Sequence, residues 1–246
     1  MTTVLEWATL VVCCTVLLLR VPDAVKGRNR TVFGILLLAT LCSLLAVSGP
    51  YEAIDGMLGG WNVANLILRY LVFAMALLIG LRVTKGLGAT RGYRLIAGRP
   101  GQWALGISCV AIGMIFLLMD TSGSSAGLED LSNTGRNAAL GPLYAAAGRS
   151  YPAFVSLVLM PPLLEAVRSR LPPLVRAGAF VTFLGAVAVV LTVPASFSTP
   201  AWDVGQHLVN YLAALGYVLG LGLFWFAGLI AQPRGDARAT FRKKTR

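Results

Sequence analysis

The sequence predicts an all-α membrane protein: a bundle of seven transmembrane helices with the N-terminus outside and the C-terminus cytoplasmic. Three observations predict it. Hydrophobic residues make up 57% of the 246 and charged residues 13%, far from the composition of a soluble chain, so a soluble enzyme is excluded. Apolar runs recur that are long enough to cross a hydrocarbon core of roughly 30 Å, which takes about 20 helical residues. The cations, which at a net charge of +11 could suggest a nucleic-acid binder, punctuate these runs instead of interrupting them. No nucleic-acid partner is expected.

The runs cover approximately 3–20, 31–49, 63–83, 101–120, 142–165, 177–196 and 206–231. Stretches such as 33–39 (FGILLLA) do not alternate apolar with polar, so the spans are helices and not strands of a barrel. The first run lacks a basic leader, carries Glu6 and shows no small-x-small cleavage pattern. It is expected to be retained as a helix. Residues 1–231 then form one transmembrane domain and 232–246 a basic tail. The longest connection, 121–141, is rich in Ser, Gly and Asn and predicts a loosely folded external loop. Gly86-Leu87-Gly88-Ala89-Thr90-Arg91-Gly92 follows a span, not a strand, and lacks the phosphate-binding register.

Orientation follows from the loops. Arg20, Lys26, Arg28 and Arg30 follow the first run, five cations from Arg82 to Arg99 the third, and Arg168, Arg170 and Arg176 the fifth. With the six of the tail, 18 of the 21 cations fall on one side, which the positive-inside rule makes cytoplasmic. Glu6, Glu52, Asp55, Asp120, Glu129, Asp130 and Asp203 lie at or beyond the other boundary. The tail, with only Asp236 opposing its cations, is expected to lie on anionic inner-leaflet lipids.

The stretch 51–65 (YEAIDGMLGGWNVAN), followed by a leucine-rich third span, resembles an uncharacterised family of actinobacterial seven-helix membrane proteins often labelled as transporters. Their Asp, Gly and Asn pattern corresponds to Asp55, Gly59 and Asn62, and 142–190 with its Arg168-Ser169-Arg170 turn is similar as well. The resemblance implies a seven-helix fold in a bacterial plasma membrane and a lineage without established chemistry. Longer members carry a cytoplasmic extension after the last helix.

Polar residues within spans are the functional lead, because each costs free energy in lipid and usually faces the bundle interior or a wet cavity. Asn62, Asn65 and Arg69 are spaced i, i+3, i+7 on one helical face, with Arg69 about 9 Å below the helix start. Glu6, Thr9 and Cys13 share that spacing, and His207, Asn210 and Tyr217 lie at i, i+3, i+10. Tyr144, Gly148 and Tyr151 share a face with Arg149 adjoining. All fall in the outer half. Asn62, Asn65, Arg69, Arg149, Asn210 and Tyr217 therefore form the expected ligand site, with Glu6 at its rim. The arginines would supply charge and donors to a carboxylate or phosphate, and the asparagines would orient it. The competing reading has the arginines snorkelling to headgroups or pairing with Glu6 or Asp120 as structural glue.

Other functions are excluded by what is missing. The last run has no lysine for a retinal Schiff base, and no carboxylate lies near a midplane as pumps require. No nucleophile with a base, carboxylate pair or metal set is evident, so neither enzyme activity nor a cofactor is expected. Cys13, Cys14, Cys42 and Cys109 lie inside spans without ligand spacing and read as small packing residues. Two readings remain. One is a transporter or receptor with an outward cavity for a small anionic or zwitterionic solute. The other is an accessory protein that packs against another membrane protein, in envelope maintenance or phage exclusion.

Overall fold

The computed structural model describes residues 2–27, 30–121, 135–197 and 203–231, and among them every element is a helix. The chain runs α1 (Thr2–Val25), α2 (Arg30–Ala46), α3 (Ser48–Met57), α4 (Val63–Gly86), α5 (Thr90–Ala97), α6 (Arg99–Leu118), α7 (Arg136–Arg168), α8 (Pro173–Ala195) and α9 (Asp203–Ala231). Most of the external loop and the whole basic tail lie outside the described residues.

Five helices, α4, α6, α7, α8 and α9, are long and apolar enough to cross a membrane, and α2 with α3 makes a sixth if the bent pair is one span. The described apolar part of α1, Trp7–Pro22, is shorter. The chain is thus a polytopic helical membrane protein.

The second run is not a straight helix to residue 49. α2 stops at Ala46 and α3 leaves at 90°. Pro50 is the cause: it has no N–H for the Ala46 carbonyl and its ring would crowd that oxygen. Val47 takes an extended conformation at the corner and α3 buries Tyr51 and Asp55, one turn apart, on its inner face.

The stretch after α4, expected as a glycine-rich loop, contains α5. Its Gly92 and Ile96 are buried against the bundle while Arg91 and Arg94 stay exposed, an amphipathic alternation too short to register as a span. Glycine is required where this helix packs: a Cβ on Gly80 of α4 would lie 2.6 Å from Val155 and 2.9 Å from Ile96. Gly88, at φ +68°, turns the chain between α4 and α5.

α7 is the hub. It packs on α4, α5, α6 and α8, and its Tyr144, Tyr151, Val155, Leu159 and Leu163 lie in the main buried cluster with Phe73 of α4 and Ile112 of α6. Its 33 residues span about 50 Å at 1.5 Å rise, so the helix overshoots the bilayer core. The overshoot is used. Asn137, in the first turn, accepts from the Asp120 amide at 2.9 Å and donates to its carbonyl at 2.7 Å, tying down the end of α6.

α8 and α9 are zipped by small residues. Gly185 meets the Gly216 backbone, where an added Cβ would approach to 2.9 Å, and a Cβ added to Gly178 would lie 3.1 Å from the Gly220 carbonyl. Without a hydrophobic drive between helices, such close backbone approach supplies the dispersion that holds them. On α6, Gly113 lies against the Tyr70 hydroxyl, whereas Gly106 is exposed with open space around it.

Candidate functional site

The carboxylate of Asp55 organises the end of the bundle opposite the cation-rich loops. Its two oxygens accept the amides of Asn62, at 3.0 Å, and Ala64, at 3.1 Å, which are orphan donors at the start of α4. A negative charge there also complements the helix dipole. Asn62 itself stands at φ +56°, a left-handed conformation that Asn tolerates better than most side chains.

That conformation removes Asn62 from the helical face on which the i, i+3, i+7 spacing put it. Instead of facing a cavity, it is fully buried, accepts from the Tyr51 hydroxyl at 2.8 Å and donates to the Thr121 carbonyl at 3.3 Å. It joins α3, α4 and the end of α6. Asp55, Gly59 and Asn62 are all parts of this corner: Asp55 caps, Gly59 turns at φ +102° and Asn62 stitches.

Asn65 and Arg69, one turn apart on α4, do share a face, and it meets α7. The Tyr144 hydroxyl donates to Asn65 Oδ1 at 3.1 Å. Arg69 lies over the Tyr144 ring, 5.9 Å from guanidinium carbon to centroid. Its aliphatic stem rests on Gly148, where a Cβ would come within 3.0 Å of Arg69 Cδ. Arg69 makes no ion pair among the described residues, and its buried Nε has no hydrogen-bond partner there. The expected pairing with Asp120 is not formed. The side chain of Glu6 lies outside the described residues, as does that of His207.

Arg149 turns the other way, toward α8. Its guanidinium donates to the Thr192 carbonyl at 3.1 Å and to the Ser196 hydroxyl at 2.6 Å. It sits near enough to Arg69 for the two charges to repel. Pro152, three residues on, has no N–H to give the Gly148 carbonyl, so an acceptor is freed at the residue on which the Arg69 stem rests. Tyr151, on the same stretch, buries a hydroxyl without a hydrogen-bond partner among the described residues.

The structure therefore gathers Asn65, Arg69 and Arg149, with Asn62 adjoining as scaffold. Tyr217 of α9 shares a 2.8 Å hydrogen bond with Ser156, about two turns beyond Arg149 along α7. Asn210 is exposed. The hollow at this end, about 230 Å³, is lined by Trp61, Phe116, Asp120 and Thr121 and by none of the predicted residues. A larger crevice of about 720 Å³ lies at the cation-rich end, where no site was expected.

Sequence reasoning missed Tyr144 as the partner of both α4 residues, although its spacing to Gly148 was visible. It also missed Ser150, whose hydroxyl donates to Ser108 at 2.8 Å and ties α7 to α6. Among the described residues no three of His, Cys, Asp or Glu gather around a metal-sized site. Compared with family models, curated proteins and solved structures, the chain matches none.

Proposed function

We propose that this is a seven-helix protein of a bacterial plasma membrane, N-terminus outside, whose outer half binds a small anionic or zwitterionic solute for transport or sensing. One observation carries the reading: Arg69 and Arg149 lie within membrane-crossing helices, near enough for their charges to repel, with no carboxylate bonded to either among the described residues. Two unbalanced cations in a low-dielectric interior are costly, and an anion between them relieves the cost. The carbonyl freed by Pro152 adds an acceptor for the ammonium of a zwitterion. The distribution of 18 of the 21 cations supports the orientation, with α1 as the seventh crossing and the basic tail on the inner leaflet.

Purified protein titrated with inorganic phosphate, acetate and glutamate should gain thermal stability with at least one of them. Arg69→Gln and Arg149→Gln should each weaken that response about tenfold or more, the worth of one charge-assisted hydrogen bond. Arg69→Cys, in a background lacking the 4 native cysteines, should react with a membrane-impermeant thiol reagent from outside. No stabilisation by any of the three, together with full protection of that cysteine, sinks the reading.

A second reading is favoured by a different observation. Asn62, Asn65, Arg149 and Tyr217 are each hydrogen-bonded within the protein, as inter-helix glue would be. An accessory protein that packs against another membrane component needs no more than that.

A further inference from the structure

By backbone proximity among the described residues, α1 neighbours α2 alone and α9 neighbours α8 alone, so these two flanks of the bundle do not close on each other. Between them runs the crevice of about 720 Å³, floored by α2 and the end of α4. Its volume falls within the roughly 300–1,000 Å³ of small-ligand sites. Along α9 it extends from Gly228 to Leu221, about 10 Å into the bundle at 1.5 Å per residue. The lining is apolar except at one level. There Arg20 of α1 and Arg82 of α4 border it, and none of its described lining residues is acidic. Arg20 reaches across the mouth to the face of Trp225 on α9, at 5.9 Å.

Three glycines on the crevice wall, Gly86, Gly222 and Gly228, differ from those that zip α8 to α9. A Cβ added to any of them would meet nothing within 4 Å. They keep space open without bringing helices together. An apolar slot bordered by two guanidiniums matches a molecule with a negative head and an apolar chain.

We infer that the crevice between α1, α2, α4 and α9 holds an anionic phospholipid, its phosphate at Arg20 and Arg82 and an acyl chain running along Gly222 and Leu221. Charge complementarity selects the head and the apolar depth selects a lipid over free phosphate, which would leave the slot empty. The site is separate from the Arg69 and Arg149 cluster.

The test is lipid retention by the full chain, read by native mass spectrometry after exchange into phosphatidylglycerol or phosphatidylcholine. The wild type should keep one phosphatidylglycerol far longer than one phosphatidylcholine. Arg20→Gln with Arg82→Gln should weaken phosphatidylglycerol about thirtyfold, taking each cation at a surface as worth about 1 kcal/mol, and leave phosphatidylcholine unchanged. Gly222→Leu with Gly228→Leu should displace both lipids, since a Cβ at either position enters open space on the crevice wall and the rest of the side chain would occupy the slot. The tail is common to every variant and cancels from the comparison. Equal retention of the two lipids, an adduct indifferent to the glycine pair, displacement by inorganic phosphate alone, or occupation by a second copy of the chain would each overturn the assignment.

Discussion

Asp55 shows how a single side chain sets the geometry of a whole corner. Burying a carboxylate is costly unless hydrogen bonds compensate it, and here two backbone amides at the start of α4 do so. Asp55→Ala should therefore lower stability by about 2–4 kcal/mol, combining a lost cap with two stranded donors. Asp55→Asn should recover only part, since its amide turns a donor toward a donor. Thermal unfolding in detergent checks both, and an unchanged melting temperature in Asp55→Ala would show that the cap is idle. Arg149 offers a second measurement at this scale. Arg149→Lys keeps the charge but has no planar fork to serve Thr192 and Ser196 together. It should destabilise less than Arg149→Ala by the same assay, and equality of the two would make the charge irrelevant.

At the scale of the helix, small residues decide who touches whom. Gly216→Leu would drive a branched side chain into the Gly185 backbone, and overpacking of this kind costs about 1–3 kcal/mol. Gly106→Leu on α6 meets open space and should leave the melting temperature unchanged. If both variants behave alike, backbone contact is not what holds α8 to α9. Much of this level was legible in the sequence. The runs at 63–83, 101–120 and 177–196 lie within about four residues of the ends of α4, α6 and α8, because lipid tolerates no polar interruption and the apolar pattern has to be continuous. The bend at Val47 and the short α5 were not read. Pro50 and the Gly92/Ile96 spacing carried those signals locally, but neither lengthens nor shortens an apolar run. The polar stripe was legible only for Asn65 and Arg69, which stay on one helix. Asn62 left it because its backbone answers to Asp55, a contact made through a turn whose glycines fix no helical phase.

For the molecule as a whole, the cations make a prediction that packing does not. Reporter fusions after residues 27, 92, 172 and 240 should report cytoplasm, and those after 56, 130 and 203 the exterior. A C-terminus found outside would reverse the topology. The fusion after 56 also bears on α3, which on this topology lies across the outer face with its Asp55 turned inward. The central place of α7 has a consequence for how the protein is made. Tyr144 and Gly148, against which Arg69 rests, emerge from the ribosome about eighty residues after it. At 5–20 residues per second the wait is roughly 4 to 16 s. For that interval α4 sits in the bilayer with a cation and no ring to cover it, so its guanidinium must reach up to the headgroups and hold the helix high. The arrival of α7 then draws α4 down into register, making the second half of the chain an assembly factor for the first.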